Sequence, residues 1–566
     1  MTEEKSQESK GSGESPADVS DVVTSRVLSS EADSTSQDTN NQSAQTDSGQ
    51  ITGPKLYVLL VSLYLSVFCL AMDKTMLSPA LGAITSEFGT VKDVGWYTSS
   101  YFLSTAAVQP LYGTIYKSFN TKWNYMTAIV VFEIGSLMAA LASTSSLLIL
   151  GRAICGLGDA GIASGTYVIL AKTLPIHKRA VFFGLLGAVW GIASILGPLL
   201  GGFFADHLTW RWCFWINLPI GGVAFLVVAF VLSASEHSGH QSKERKTVLS
   251  RVRQLDFAGT ATLLPGVVML LLAMQWGGTE FPWSSPTIIG LFAGSGVLLL
   301  LFAWIQHRAQ DSGLLPPRFF KNRDVCSAIF FSLFFGASYL ATIPYLSIFF
   351  QAIQNASAVN ASLHLLPLSI SSVLSSILTG ILIGILGNYN VIILVDFALM
   401  CVGLGLITTF SLDTPMSHWF PFEIILGLGV GVGFQAGQVV VQNSLPFHLL
   451  SQAMSNVQFF MSLGGAVSVS ASQAAFQNGV VKAMARAVPQ VSPSVVLNAG
   501  ASKLQQTLES LGLSSDDVTA IRQGYMTGLR NTYYIVTAMA GCAFLAALGL
   551  RWKRLPKAAS KPPAKA

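Results

Sequence analysis

Stretches of about 20 apolar residues, recurring along most of the chain, limit what this sequence can fold into more than any other feature. A hydrocarbon layer roughly 30 Å thick is crossed by about 20 helical residues, because a backbone inside it must satisfy its own polar groups. Fourteen such stretches can be read, at about 56–78, 94–116, 125–143, 148–171, 181–205, 213–234, 257–276, 286–306, 325–350, 363–386, 391–411, 419–442, 453–477 and 529–551. The expectation is an all-α membrane protein with fourteen transmembrane helices. Composition agrees: of 566 residues, 51% are hydrophobic and only 11% charged, with a mean hydropathy of +0.55. Lipid, not water, must be the solvent for most of the surface.

Residues 1–53 are rich in Ser, Thr, Gln, Asp, Glu and Gly and nearly free of large apolar side chains. Such a segment cannot bury a core and is expected to be a disordered tail. It lacks a basic start, an apolar run and a cleavage site, so the first span is expected to direct targeting. An even number of spans puts both termini on one side. The loops that then share that side hold Lys117, Lys122, Lys172, Lys178, Arg179, Lys243, Arg245, Lys246, Arg251, Arg253, Arg308, Arg318, Lys321 and Arg323, and Arg551, Lys553 and Arg554 follow the last span. The opposite short loops hold Lys74, Lys92 and Arg211. This excess places both termini in the cytoplasm. The sequons at Asn355 and Asn360 then lie outside, as candidate glycosylation sites close to the membrane.

Several function classes are excluded. The net charge of +5 is spread in ones and twos, without a basic stripe for nucleic acid. No GxxxxGK[ST] phosphate loop is present, no HExxH occurs among the eight histidines, and none of the six cysteines forms a CxxC pair. Neither an enzyme, a metal site, a cofactor nor a disulfide is expected, and the energy for any transport must come from an ion gradient.

The fifth stretch contains Gly191-Ile-Ala-Ser-Ile-Leu-Gly197-Pro198-Leu-Leu-Gly201-Gly202. Small residues at this spacing let another helix approach closely, and Pro198 removes a backbone hydrogen bond and is expected to bend the helix. A GPxxGG run there resembles the antiporter signature of the major facilitator superfamily, in its fourteen-span drug:proton antiporter branch and especially its fungal efflux pumps. Other segments are similar to that branch: Ala71-Met72-Asp73-Lys74-Thr75 in the first stretch, Gly151-Arg152-Ala153-Ile154-Cys155-Gly156 in the fourth, Trp210-Arg211-Trp212-Cys213-Phe214-Trp215-Ile216-Asn217-Leu218-Pro219-Ile220-Gly221 after the fifth, and Phe434-Gln435 in the twelfth. Two departures stand out. Lys117 occupies the place of a gating-loop aspartate, and Cys155 that of a glutamine, with an added acid at Asp159.

The resemblance implies a six-helix bundle over 54–235, a linker with two additional spans over 236–308, a second six-helix bundle over 309–552 with an outer loop at 478–528, and a cytoplasmic tail at 553–566. It also implies a cavity between the bundles and alternating access by their rocking. The expected function is proton-coupled export of amphipathic small organic molecules such as toxins, secondary metabolites or drugs, from the cell membrane or a vacuolar membrane. The alternatives are a siderophore or basic amino-acid transporter and a non-transporting sensor.

An ionisable group facing lipid costs about 2.5–3.5 kcal/mol on insertion scales, so those retained in apolar stretches are expected to face a cavity or a partner. Asp73 is the favoured proton carrier, against the reading that it caps the outer end of its helix beside Lys74. Arg152 either engages a carboxylate in competition with the proton or braces its helix. Asp159 lies seven residues further along the same face, where it either neutralises Arg152 or offers a negative site. Glu133 is expected to be structural, and Asp396 and Glu423 to be solvated or interfacial. The apolar wall of a broad pocket is expected from aromatic residues such as Tyr339 and Tyr345, with Gln351, Gln435 and Gln438 supplying hydrogen bonds.

Overall fold

Fifteen helices of at least twelve residues carry the architecture of the computed structural model, which describes residues 53–88, 93–232, 255–278, 280–499 and 504–552. They are α1 (Pro54–Phe88), α2 (Val94–Ser118), α3 (Thr121–Ala140), α4 (Ser145–Thr173), α5 (Ile176–His207), α6 (Asn217–Val231), α7 (Phe257–Trp276), α8 (Pro286–Ala309), α9 (Arg323–Ile348), α10 (Leu366–Leu386), α11 (Tyr389–Ile407), α12 (Met416–Val430), α13 (Gly433–Ser444), α14 (Leu450–Ala487) and α15 (Ser515–Ala547). No strand occurs among the described residues, and all of these lie in one compact unit. The tails expected at 1–53 and 553–566 fall outside the described residues except for Gly53, as do Lys92, Lys243, Arg245, Lys246, Arg251, Arg253, Lys553 and Arg554.

Local chemistry sets the helix starts. The Asn120 carboxamide accepts from Lys122 N at 2.9 Å to open α3, and Asn322 accepts from Asp324 N at 3.1 Å to open α9. Ser514 accepts from Asp517 N at 3.2 Å before α15. Each supplies an acceptor to a helix N–H that has no carbonyl partner of its own. Proline does not end the long helices: α1 runs through Pro79 and α5 through Pro198. The helix bearing the GPxxGG run is therefore continuous from Ile176 to His207.

Among the described residues, twelve segments, not the fourteen expected, are long and apolar enough to cross a membrane. The two that fall short correspond to 94–116 and 529–551. α2 carries Thr98, Ser99, Ser100, Ser104, Thr105 and Gln109, and the 529–551 stretch of α15 carries Arg530, Asn531 and Thr532 near its start. These polar residues dilute segments whose length alone suffices. Both helices are nonetheless packed among the others, α2 against α4, α7 and α14, and α15 against α9, α11 and α14.

Helices α1 to α6 pack mainly on one another, through α1–α5, α1–α6, α2–α4, α3–α4 and α3–α6. Helices α9 to α15 do the same through α9–α14, α9–α15, α10–α12, α11–α12, α11–α15 and α14–α15. Two long seams join the groups, α5 on α10 and α2 on α14, and α7 pairs with α8 and reaches α2. The seams are close because their residues are small. A Cβ on Gly184 would lie 2.6 Å from the Ser376 carbonyl, and one on Gly113 would lie 3.0 Å from the Gln452 Cα. Lys117 ties the α2–α14 seam, donating to Gln452 Oε1 at 2.8 Å and to the Asp311 carbonyl at 2.9 Å.

Asp396 and Glu423 correct the expectation of solvated or interfacial acids. Asp396 is 6% exposed and Glu423 fully buried. Asp396 accepts from Thr379 Oγ1 at 3.4 Å, while Glu423 packs where α12 meets α10. Neither forms an ion pair among those seen in the described residues. Both lie well inside apolar helices, where the sequence positions near span ends suggested otherwise.

A paired-charge site beside the central cavity

Val67, Leu70 and Lys74 recur at helical spacing on one face of α1, and this face borders an enclosed cavity of about 30 Å³. The other walls bring Gln109 from α2, Asp159 and Tyr167 from α4, Trp190 from α5 and Gln458 from α14. Both helix groups therefore contribute. The volume is about that of one water molecule, so the groups are closed upon each other in this state.

Two ion pairs cross from α1 to α4 at this level. Lys74 Nζ lies 3.0 Å from Asp159 Oδ2 on the cavity wall, and Arg152 Nη1 lies 2.5 Å from Asp73 Oδ2 behind it. Adjacent residues on a helix point about 100° apart, so one face of α1 offers a cation and the next an anion. Arg152 and Asp159, two turns apart on α4, meet them in the opposite order. The four charges sum to zero.

The inner pair is sealed: Asp73 and Arg152 are each 1% exposed. The second Asp73 oxygen accepts from Asn217 Nδ2 at 3.0 Å, and Asn217 also donates to Ser136 Oγ at 3.1 Å. Arg152 Nε donates to the Tyr97 carbonyl at 3.0 Å, and its guanidinium lies 4.5 Å from the Tyr101 ring centroid. Every group that would lose water is thus given a partner, which a buried pair requires in order to persist. On the cavity side, Lys74 Nζ lies 5.0, 5.2 and 5.7 Å from the ring centroids of Trp190, Tyr101 and Phe102. Asp159 Oδ2 also accepts from Thr105 Oγ1 at 3.1 Å, but its buried Oδ1 has no hydrogen-bond partner.

Several expectations change. Asp73 lies in the interior of Pro54–Phe88, so it caps no helix end. Its span borders the cavity, but Asp73 is turned away from it, toward α4 and Asn217. Asp159 does not neutralise Arg152; it pairs with Lys74. Lys74, counted above with the outer loops, lies inside α1 with its side chain only 13% exposed. Its burial follows from an α1 that continues as far as Phe88.

The GPxxGG run touches this site through backbone. A Cβ on Gly197 would overlap the Thr75 side chain and lie 3.3 Å from Met76 N, and one on Gly201 would overlap the Met76 carbonyl. Thr75 Oγ1 donates to the Ala193 carbonyl at 3.2 Å. The run thus presses on α1 directly after Asp73 and Lys74. Gly191 faces α10 instead, meeting Val373, whereas a Cβ on Gly202 would find its nearest atom at 3.9 Å.

The residues expected to line the pocket lie away from this cavity's wall. Tyr339 stacks with Phe335, and both meet Phe434, which itself stacks on Trp190 at 6.0 Å. It therefore stands one layer behind the wall. Gln435 donates to the Ser376 carbonyl at 3.2 Å and Gln438 to the Met454 carbonyl at 3.1 Å. Tyr345 packs on Phe476, and Gln351 donates to Ser347 on its own helix segment. Asn355 and Asn360 are exposed, Asn355 with φ 55°. Glu133 is half-buried beside Gly221, with neither carboxylate oxygen hydrogen-bonded.

Outside the membrane-spanning region, Trp210 and Arg211 fasten the end of α1. Arg211 makes a two-pronged contact with Glu87 at 2.8 and 2.9 Å, and Trp210 Nε1 donates to Glu87 at 2.7 Å. These donors hold the Glu87 carboxyl below its ordinary pKa.

The fold and the family agree. The Major Facilitator Superfamily pattern matches residues 63–469, and the chain belongs to that superfamily. It is a multi-pass membrane transporter, not an enzyme. It is 39% identical over 503 residues to the MFS-type efflux pump MFS1 of Trichophyton rubrum, covering 89% of this chain and 92% of that one. It is 39% identical over 505 residues to the efflux pump roqT of Penicillium rubens, with the same coverage of each. To the efflux pump aflT of Aspergillus parasiticus it is 38% identical over 507 residues, covering 89% of this chain and 97% of that one. Among solved structures, the human organic anion transporter MFSD10 superposes with a TM-score of 0.57 at 13% identity, covering 88% of this chain and all of that one. The proton:xylose symporter XylE superposes at 0.56, also at 13% identity, over 87% and 94%. At that identity these two speak for the fold alone.

Proposed function

We propose that this chain is a proton-driven antiporter that exports amphipathic small organic molecules, secondary metabolites and toxins among them, across the cell membrane. One observation carries the reading: a cavity closed between two groups of helices has one ion pair on its wall and a second, sealed pair directly behind it. Proton and cargo compete for this charge system. Asp73, joined to Arg152, is the proton site. Asp159 and Lys74 meet the cargo. Release from the cytoplasmic side loads cargo, and the more acidic exterior returns the proton and expels it. The relatives' names as efflux pumps support the direction.

In this proposal α2 and α15 also cross the bilayer, making fourteen spans. The reading is supported by their lengths of 25 and 33 residues and by their packing among apolar helices. The two bundles are 54–235 and 309–552, with α7 and α8 in the segment between. Both termini are cytoplasmic, and Asn355 and Asn360 face outward. The test is uptake of a panel of aromatic compounds into inside-out vesicles with an acidic lumen. Accumulation should require the pH gradient and collapse with a protonophore. Accumulation indifferent to the protonophore would refute proton coupling.

A further inference from the structure

We propose that Lys74 sets the charge selectivity of the central cavity, so that the site takes uncharged aromatic molecules bearing hydroxyl or N–H donors and rejects organic cations. The inference rests on the efflux reading and specifies its cargo. Three observations carry it. First, the ring of Trp190 on the cavity wall, which would attract a cation, already has the Lys74 ammonium 5.0 Å from its centroid, and the same ammonium lies 5.2 and 5.7 Å from Tyr101 and Phe102 off the wall. A cationic guest would meet that charge at close range.

Second, the two buried wall atoms left without a partner are both acceptors. Asp159 Oδ1 and Gln109 Oε1 are buried without partners, on residues that are 1% and 0% exposed. A buried acceptor left unpaired is costly, and a guest that donates to it recovers that cost. Third, Lys74 and Asp159 cancel, leaving no net charge on the cavity wall for an ionic guest to balance. Aromatic groups suit the remaining surface, where Trp190 is backed by Phe434.

Because the cavity has room for about one water in this state, the guest enters when the α5–α10 and α2–α14 seams part.

The test is equilibrium binding to the purified full-length protein, with three probes: 2,6-dihydroxynaphthalene, its dimethyl ether and tetraphenylphosphonium. The wild type should bind the diol about 10-fold more tightly than the ether, since a site built for a donor discriminates against its loss. It should bind tetraphenylphosphonium weakly, and Lys74→Met should gain about 10-fold for that cation, because Asp159 is then uncompensated. Lys74→Arg should keep the exclusion, and Lys74→Met with Asp159→Asn should lose the gained affinity, which separates charge from misfolding. Equal binding of diol and ether, or tight cation binding by the wild type, would overturn the proposal. Binding with the predicted pattern but no gradient-driven movement in vesicles would overturn the efflux reading and leave the selectivity standing.

Discussion

Arg152 and Asp73 hold each other in a place where neither charge can be left alone. The pair is 1% exposed on both sides, and its remaining hydrogen bonds go to Asn217 and the Tyr97 carbonyl. Removing one partner of such a pair costs about 3–5 kcal/mol, whereas replacing both is far milder. Arg152→Gln alone should therefore lower the yield and thermal stability of folded protein, and adding Asp73→Asn should restore most of the loss. Equal instability of the double variant would show that the two charges are not coupled. The ionisable residues themselves were legible in the sequence, because a charge inside an apolar run needs a partner or a cavity. Which acid takes which base was not legible. It depends on the rotation of α1 against α4, and a difference of one residue between Asp73 and Lys74 turns the side chain from a sealed pocket to the cavity wall.

The GPxxGG run works through contact between α5 and α1, and its glycines are not equivalent. A side chain on Gly201 would strike the Met76 backbone, which cannot move aside without displacing α1, whereas Gly202 has open space to about 3.9 Å. Gly201→Val should abolish export in a protein that still reaches the membrane, while Gly202→Ala should retain most of it, measured side by side in the same vesicles. Loss of export by both, or by neither, would contradict the contact. The close-packing helix was readable from its small residues, but its partner was not, since spacing alone does not say which neighbour fills the groove. Pocket walls were harder still. Tyr339, Tyr345, Gln351, Gln435 and Gln438 stand out in the sequence as aromatic and amide residues of the second half, yet the first half supplies most of the wall, Trp190 and Gln109 included. Polar dilution had a similar effect on α2 and α15, whose membrane-facing character is weakened by the very residues that meet other helices.

At the scale of the molecule, two helix groups meet along α5–α10 and α2–α14 and enclose a cavity between them. The proposed orientation of that arrangement rests on the excess of basic residues in one set of loops. None of the six native cysteines is classed as exposed, so an added one can be read against them. Gln490→Cys should react with a membrane-impermeant maleimide on intact cells, and Arg308→Cys should react only after permeabilisation; the reverse pattern would invert the topology. Rocking of the two groups would expose the cavity alternately, while the sealed pair of Asp73 and Arg152 moves with the first group. The claim on which this depends is that Asp73 gives up and regains a proton in each cycle. Asp73→Asn retains the shape and an acceptor for Arg152 but cannot titrate, and because it leaves Arg152 without a counter-charge its folded yield is measured alongside. The decisive measurement is export by this variant into inside-out vesicles under an imposed pH gradient, with substrate exchange at equal pH as the control. The account predicts exchange without gradient-driven accumulation; accumulation equal to that of the wild type would contradict it and move the proton site away from Asp73.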